Sequence, residues 1–245
     1  MPLKIQNITY ASGGKEILKN LSFSLDEGSL YGVLGPNGSG KSTLLKTMAK
    51  IWSPIRGEIF WHQENLMNHT RLQMSRTMTL VPQNPQIYFD FDVLDFTAMG
   101  CYPRSSSSEQ VRSVVEEALR QVGAWHLCDR FISQLSGGER QLIYIARALA
   151  TQAPILLLDE PTSHLDLHHQ LQIWELLRSL VDKGKLIIVA VHDFTAAQRF
   201  CDQIVVLSQG ECKGVGSYQE VMTPTLLQEI FGVRQRDPFS FFERV

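Results

Sequence analysis

The sequence lacks long hydrophobic runs. The longest, such as residues 186–191, fall far short of the about 20 apolar residues that a membrane-spanning helix requires. The first residues, Met-Pro-Leu-Lys, also lack the apolar segment of a secretory signal peptide. We therefore expect neither a membrane-spanning segment nor export.

Cysteines are few, and charge is nearly balanced. No two cysteines form a Cys-X-X-Cys pair, which predicts free thiols in a reducing cytosol rather than disulfides or a metal site. The net charge of −2 gives the chain no overall basic footprint of the kind that drives nonspecific nucleic-acid binding, so no nucleic-acid partner is expected. The cysteines are Cys101, Cys128, Cys201 and Cys212.

The composition that remains is ordinary for a globular protein. The chain has 245 residues, of which 44% are hydrophobic and 20% charged. This length supports a sizeable core without cross-links, in one large domain or two small ones.

The most informative segment is residues 155–160, where an apolar run ends in two carboxylates, Asp159 and Glu160, directly before Pro161. An unpaired carboxylate that is buried at the end of a strand loses several kcal/mol of hydration free energy. Something cationic or reactive is therefore expected beside them.

A glycine-rich segment upstream explains the carboxylates. It fits the pattern Gly-X-X-X-X-Gly-Lys-[Ser/Thr], whose backbone N–H groups wrap around nucleotide phosphates. Lys41 would add charge at the terminal phosphates, Ser42 a hydroxyl for Mg²⁺, and Thr43 a contact to the inner phosphate. We therefore predict bound nucleotide and Mg²⁺, with Asp159 at the metal and Glu160 handling water. The phosphate loop comprises Gly35, Pro36, Asn37, Gly38, Ser39, Gly40, Lys41 and Ser42.

The order of predicted elements indicates an α/β fold. Early segments alternate apolar and polar residues as half-buried antiparallel strands do, and later strands alternate with helices, which predicts a parallel sheet. Ligands bind at the carboxyl edge of such sheets, where Ser42, Asp159, Glu160 and His192 would converge. Predicted strands include residues 31–34, 58–61, 77–81, 155–158, 186–191 and 204–207, and predicted helices include residues 42–51, 171–180 and 195–200.

Residues 86–150 are predicted to be mainly helical. Ser106 and Glu109 fit a capping box at the start of one helix. Its apolar face repeats at helical period through Val111, Val114, Val115, Ala118, Leu119 and Val122.

A second glycine loop, Leu-Ser-Gly-Gly-Glu-Arg-Gln at residues 135–141, precedes a helix. It can bind an anion through N–H groups and the hydroxyl of Ser136. Taken alone, an ordinary helix cap is the simpler interpretation. The chain has two such loops but only one phosphate-loop lysine, so the second loop can be explained as serving a nucleotide held by another copy.

Six motifs resemble, in order and spacing, the nucleotide-binding cassette of ABC-type ATPases over nearly the whole chain. They are residues 35–43, Gln83, residues 135–141, residues 155–160, residues 163–166 and His192. The resemblance implies a P-loop NTPase fold with a mainly parallel sheet core, an antiparallel β subdomain and a helical subdomain, in one ABC ATPase domain over residues 1–245. The RecA-like core and the antiparallel subdomain would comprise residues 1–85 and 151–245. The helical subdomain, with the second glycine loop, would comprise residues 86–150.

The resemblance also implies an ATP hydrolase built from two copies. Two cassettes would pack head to tail around two ATP molecules, each held between one phosphate loop and the partner's signature loop, Ser136, Gly137 and Gly138. Tyr10 would stack on adenine, and residues 163–166 would contact the opposite subunit. The implied catalytic residues are Lys41, Gln83, Glu160 as general base or water-orienting residue, and His192 at the γ-phosphate. The implied Mg²⁺ ligands are Ser42, Gln83 and Asp159.

Residues 97–103, Thr-Ala-Met-Gly-Cys-Tyr-Pro, resemble an element of importer ATPases for iron–siderophores, haem and cobalamin, although Cys101 stands where an arginine is commoner. Residues 163–170 and 191–194 resemble the same group. We therefore expect the ATPase of a metal-chelate importer; manganese/zinc and molybdate importers are alternatives. Residues between 83 and 136 would meet integral-membrane permease subunits at the cytoplasmic face of the membrane, making the chain a peripheral subunit. A substrate-binding protein outside the membrane would be an indirect partner.

Other classes are possible. A soluble ABC-type ATPase in cofactor assembly remains open, whereas DNA-maintenance members carry long coiled coils that this chain lacks. A nucleotide-gated module without turnover is disfavoured by Glu160 and His192. Three phenylalanines at residues 239–242 would either form an interaction patch or, as we prefer, dock on the chain's own body.

Overall fold

The computed structural model describes residues 3–83, 85, 89–104, 107–235 and 242–244. The strands are β1 Leu3–Ser12, β2 Lys15–Leu25, β3 Leu30–Leu34, β4 Arg56–Trp61, β5 Glu64–Asn65, β6 Met78–Val81, β7 Ile155–Asp159, β8 Leu186–Ala190, β9 Gln203–Ser208, β10 Glu211–Gly216, β11 Val233–Gln235 and β12 Phe242–Arg244. The α-helices are α1 Lys41–Met48, α2 Arg71–Thr77, α3 Val93–Ala98, α4 Ser108–Gln121, α5 Gly137–Ala150, α6 Leu167–Asp182, α7 Phe194–Phe200, α8 Tyr218–Val221 and α9 Pro224–Leu226, followed by a π-helical turn, Leu227–Phe231. Short 3₁₀ helices are Leu66–Asn68, Met99–Arg104, Trp125–Leu127 and Ile132–Gln134.

A six-stranded sheet in the order β10-β9-β3-β8-β7-β6 forms the centre of the fold. Its β9, β3, β8, β7 and β6 strands are parallel, and β10 pairs antiparallel with β9 at one edge. Every residue of β3, β7 and β8 is buried, as expected for strands covered on both faces. The predicted parallel sheet is confirmed.

The predicted antiparallel strands are also confirmed. They form a second sheet in the order β2-β1-β4-β5, whose neighbouring strands all run antiparallel. The pairing of β1 with β2 is interrupted by register shifts, which curve the two strands.

Two hydrophobic clusters lie on opposite faces of the six-stranded sheet. Leu156 and Leu158 face the cluster that contains α4, α5 and α6, whereas Ile155 and Leu157 face the cluster beneath α1 and the antiparallel sheet. This alternation follows from the period of two along a strand. The six-stranded sheet therefore contributes side chains to both hydrophobic clusters.

Several helix boundaries differ from the sequence-based predictions, including both ends of α6, which spans Leu167–Asp182 rather than residues 171–180. The predicted capping box of Ser106 and Glu109 is wrong: α4 is capped by Ser107, whose hydroxyl accepts from Gln110 N–H while Gln110 Oε1 accepts from Ser107 N–H. The serine run offers the same spacing one residue later, and only position 107 starts the helix. Ser106 itself lies outside the described residues. Helix α1 ends at Met48 rather than at residue 51.

Candidate nucleotide site

The sheet order brings the predicted site residues to one edge. Strands β3, β8, β7 and β6 are consecutive neighbours, and they are followed by the phosphate loop, His192, Glu160 and Gln83 respectively. Since parallel strands end at the same edge, residues far apart in sequence become adjacent there. The predicted convergence at the carboxyl edge is confirmed.

The phosphate loop is shaped by two glycines that no other residue could replace without a rearrangement. A Cβ on Gly35 would lie 2.2 Å from the carbonyl oxygen of Leu207, and one on Gly40 would lie 2.9 Å from Leu18 Cδ2. Gly40 also has a φ of 107°, in the region that favours glycine. Helix α1 starts directly after Gly40 without a side-chain cap, so its first N–H groups are available to an anion.

Lys41 is a buried cation that, among the described residues, donates hydrogen bonds only to carbonyl oxygens. It is 6% exposed, and its Nζ donates to the carbonyls of Gly35 and Pro36 at 2.8 and 3.2 Å. Burial lowers the pKa of Lys41, while the nearby Glu160 and Asp159 oppose this. A phosphate group in the loop would stabilise the charged form.

Ser42 and Asp159 form the candidate Mg²⁺ site. Ser42 Oγ donates to Asp159 Oδ1 at 2.9 Å, and Asp159 is only 3% exposed. Burial raises the pKa of Asp159 and the charge of Glu160 adds to the rise, whereas the hydrogen bond from Ser42 lowers it. The charged form of this buried carboxylate would be stabilised by a nearby cation.

These donors fit Mg²⁺ when phosphate oxygens complete the ligand set. Within the residues that the structure describes, no cluster of three or more histidine, cysteine, aspartate or glutamate side chains could hold a metal by itself. Mg²⁺ is commonly bound by one or two carboxylates together with substrate phosphates. Ser42 and Asp159 therefore suit a metal that arrives with a nucleotide.

Glu160 is fixed by both its backbone and its side chain. Its N–H donates to the carbonyl of Ala190 at 3.1 Å, and its carbonyl accepts from Ser163 N–H and Oγ at 3.2 and 2.8 Å. Its carboxylate accepts from Gln83 Nε2 at 2.5 Å on Oε2 and pairs with His192 Nε2 on Oε1. The structure thus brings Gln83, Glu160 and His192 together, as the sequence predicted.

A cavity of about 650 Å³ lies over this cluster. Its volume suits a small-molecule ligand. Besides the phosphate loop, Glu160 and His192, it is lined by residues that the sequence analysis did not single out: Lys15, Glu16, Ile17, Lys19 and Gln209. These side chains come from the β1–β2 hairpin, β2 and the β9–β10 turn.

The additional lining residues are held by a backbone contact between sheets. Gly210 N–H donates to the carbonyl of Ser39 at 3.1 Å, and Lys19 N–H donates to the carbonyl of Gly210 at 2.8 Å. The β9–β10 turn therefore links the phosphate loop to β2. No local sequence signal reports a contact between segments this far apart, so the sequence could not place these residues in the site.

Tyr10, predicted to stack on adenine, makes an aromatic contact within its own chain. Its ring stacks on Trp52 of its own chain, with centroids 5.4 Å apart and planes 9° apart, and it packs against the core beneath α1. Tyr10 is not among the described residues that line the cavity. Its contact with adenine stays a prediction.

The signature loop opens helix α5, as predicted. Ser136 Oγ accepts from Glu139 N–H at 3.3 Å, and Glu139 Oε2 accepts from Ser136 N–H at 2.8 Å. Hydrogen bonding of its carboxylate to Ser136, from the backbone N–H first and from the side chain second, lowers the pKa of Glu139. Among the described residues that line the cavity, none comes from this loop.

Comparisons with known proteins agree with this geometry. Residues 18–163 match the family model described as ABC transporter. The hemin import ATP-binding protein HmuV of Bordetella pertussis is 38% identical, over 95% of this chain and 93% of its own length. The cobalamin import ATP-binding protein BtuD of Halobacterium salinarum is 35% identical over 96% of this chain, which spans 60% of that longer relative.

Solved structures are similar over most of the chain. An inward-facing transporter of proposed metal-chelate ABC type aligns with a TM-score of 0.83 and 29% identity, over 99% of this chain and 95% of its own. A dimeric ATP-binding cassette in a post-hydrolysis state with ADP and Pi aligns with a TM-score of 0.77 and 29% identity, over 88% of this chain and 98% of its own. None of the helices in the described part of our chain is long and apolar enough to cross a membrane.

Proposed function

The chain belongs to the ABC transporter family, and from this premise we propose that it is the ATP-hydrolysing subunit of an importer for a metal chelate of the haem or cobalamin type. Like its relatives, it is an ATP-binding protein and an ATP hydrolase. One observation carries the proposed chemistry: Glu160 is held between Gln83 and His192 beside the buried Ser42–Asp159 pair.

The phosphate loop and Lys41 would bind the triphosphate. The uncapped start of α1 and the backbone N–H groups of the loop favour anions. Lys41 would exchange its carbonyl partners for phosphate oxygens, which carry more negative charge. The base and ribose would then lie toward Lys15 and Ile17, which line the same cavity.

Ser42 and Asp159, with Gln83, would hold Mg²⁺. When bound, the metal ion supplies positive charge that neutralises phosphate oxygens. Binding of the metal ion would offset the free-energy cost of burying the charged Asp159 carboxylate.

Glu160 would orient the attacking water and accept its proton. The water oxygen forms a bond to the γ-phosphorus while the bond from that phosphorus to the β,γ-bridging oxygen breaks, which yields ADP and inorganic phosphate. His192 and Gln83 hold the carboxylate in place, and His192 would contact the γ-phosphate. Positioning and charge stabilisation of this kind account for most catalysis of phosphoryl transfer.

We propose that two copies form the composite site head to tail. None of the described residues that line the cavity of the same chain comes from the signature loop, yet this loop forms the start of α5, where backbone N–H groups can bind an anion. A nucleotide held by a second copy would satisfy both observations. The dimeric cassette among the similar structures supports this arrangement.

A groove next to Gln83 is the proposed permease-docking surface. Phe89 is 74% exposed at its rim, and Arg140 Nε is buried without a hydrogen-bond partner among the described residues. A permease segment with an apolar side chain and an acceptor oxygen would suit both groups. The groove is lined by Pro85, Phe89, Asp90, Ile132, Ser133, Arg140 and Tyr144 and has a volume of about 450 Å³. We further propose that residues 86–150 act as one helical unit carrying this surface, against a core of residues 1–85 and 151–245.

The proposed function can be tested in reconstituted vesicles. The chain would be purified with its co-purifying membrane protein and placed in proteoliposomes, with Mg-ATP on the side of the chain. ATP-dependent uptake of haem or of a cobalamin, lost with Glu160→Gln, is the expected result. Uptake of manganese, zinc or molybdate instead would identify one of the alternative importer classes. Hydrolysis without any membrane partner or uptake would favour a soluble role in cofactor assembly.

A further inference from the structure

The two glycines of the signature loop have different surroundings. A Cβ on Gly137 would meet only Leu165 Cδ2, at 3.8 Å, which is ordinary contact. A Cβ on Gly138 would lie 2.1 Å from His169 Cδ2 and 2.5 Å from its Cγ and Nε2. Glycine at position 138 is therefore required by a contact inside the chain, whatever it contributes to binding a partner's nucleotide.

The His169 ring is held in this position by Asp166. His169 Nδ1 lies 2.8 Å from Asp166 Oδ2, and the backbone N–H of His169 donates to Asp166 Oδ1 at 2.9 Å. The hydrogen bonds from His169 lower the pKa of Asp166, so the carboxylate is charged at neutral pH. Asp166 is also the N-cap of α6, which fixes it relative to that helix.

The same segment is tied to the catalytic carboxylate. Ser163 donates to the carbonyl of Glu160 from both its N–H and its hydroxyl. Gln170 Nε2 donates to the carbonyls of Thr162 and Leu165 at 3.3 and 3.0 Å. A continuous set of contacts therefore runs from Glu160 through residues 162–166 to His169.

We propose that His169 is a positioning residue for hydrolysis: its ring, anchored by Asp166, sets the position of Ser136–Gly138 relative to the segment that follows Glu160. This inference rests on the proposed composite site. It assigns His169 no contact with nucleotide. Through Gly138, His169 places the loop that one chain presents to the ATP bound by its partner.

The first test compares His169→Ala with His168→Ala. His168 is the exposed neighbour of His169, and the two rings pack edge-on with their centroids 5.5 Å apart. His168→Ala therefore controls for the loss of a histidine at the start of α6. We expect His169→Ala to lower kcat about tenfold to a hundredfold, because small displacements in an active site have effects of this size. ATP binding to the isolated chain should not change. His168→Ala should behave as the original, and His169→Asn, which keeps a donor for Asp166, should recover part of kcat.

Mixed dimers separate the signature loop from the chain's own site. Two differently tagged chains would carry Glu160→Gln and His169→Ala either on the same chain or on separate chains. On the same chain, the one intact Glu160 faces the altered signature loop, so hydrolysis should be strongly reduced. On separate chains, the intact Glu160 faces an unaltered loop, so about half of the original activity should survive. Equal activity of the two arrangements would overturn the inference.

A steric test addresses the contact itself. Gly138→Ala should displace the His169 ring, so adding His169→Ala to Gly138→Ala should lower activity no further and should restore part of it. Additive losses would contradict the contact. Failure of the proposed composite site has a different signature, because hydrolysis by the original chain and by His168→Ala would then not depend on protein concentration.

Discussion

Asp159 is a residue whose charge is unfavourable in the folded chain. It is nearly fully buried, it lies beside Glu160, and its carboxylate accepts a hydrogen bond from the hydroxyl of Ser42. The raised pKa means that the folded chain binds this proton more tightly than the unfolded chain. The contribution of Asp159 to stability therefore falls as pH rises from its unfolded pKa through its raised folded pKa, and the full penalty applies above that folded pKa.

Asp159→Asn should accordingly stabilise the nucleotide-free protein while abolishing Mg²⁺-dependent hydrolysis. Asparagine keeps an acceptor for Ser42 and removes the buried charge. Each kcal/mol gained would raise Tm by about 2–4 °C for a chain of this size. Thermal unfolding at pH 7.5 without nucleotide measures the effect, with exposed Asp182→Asn as control. The gain should shrink as pH is lowered, and a decrease in Tm at pH 7.5 would contradict the placement of this charge.

Glu160→Gln should preserve ATP binding and slow hydrolysis by about 100- to 10,000-fold, the usual contribution of a general base. The amide can still interact with Gln83 and His192 but cannot accept a proton from water. Phosphate release and nucleotide affinity should be measured together. Exposed Glu175→Gln on α6 is the matched control. A rate near that of the original chain would exclude Glu160 as the residue that handles water.

Tyr10→Leu distinguishes packing from adenine stacking. With its ring on Trp52 and away from the described cavity lining, Tyr10 should contribute mainly to stability. We expect a lower Tm and an ATP affinity within about twofold of the original, because loss of one aromatic pair is worth about 0.5–1.5 kcal/mol to the fold. A large loss of affinity for ATP, without a loss of affinity for tripolyphosphate, would instead restore the predicted adenine contact.

At the scale of elements, the close approach of the 3₁₀ helix Met99–Arg104 to α5 depends on one glycine. A Cβ on Gly100 would lie 2.1 Å from the carbonyl oxygen of Arg147 and 2.9 Å from Ala150 Cβ. Gly100→Ala should therefore separate the two elements and lower the free energy of unfolding by about 1–3 kcal/mol. Denaturant unfolding measures this, with Met99→Ala, a truncation of an exposed side chain in the same helix, as control. Equal stabilities of the two variants would exclude the tight contact.

The sequence predicts some elements and site residues but not others. The spacing of apolar residues and the length of the apolar segments predicted the strands of the parallel sheet, because strands buried on both faces are short, nearly continuous apolar segments. The predicted cap of α4 differs by one residue because Ser106 with Glu109 and Ser107 with Gln110 both satisfy the capping-box pattern. The phosphate loop, Gln83, Glu160 and His192 were predictable because each belongs to a motif. Ile17 and Gln209 were not, since only the packing of the two sheets brings them to the cavity.

At the scale of the whole molecule, hydrolysis should depend on protein concentration. If each ATP needs the signature loop of a second copy, specific activity should rise as the isolated chain is concentrated. Glu160→Gln with Mg-ATP should form a dimer by light scattering, and adding Ser136→Ala should weaken that dimer by about 1–3 kcal/mol for a lost charged hydrogen bond. Specific activity that is constant over a hundredfold dilution would show that one copy suffices.

The position of β3 in the sheet has a consequence for how the protein is made. This strand precedes the phosphate loop, yet its two neighbours in the sheet are β8 and β9, which are synthesised only near the end of the chain. A ribosome must therefore release most of the polypeptide before the central strand can pair, and non-local pairing of this kind folds slowly. Until then Leu30–Leu34 exposes an unpaired apolar edge, the kind of segment on which chaperones act. Chains truncated before residue 186 should accumulate as aggregates rather than as a smaller phosphate-binding domain.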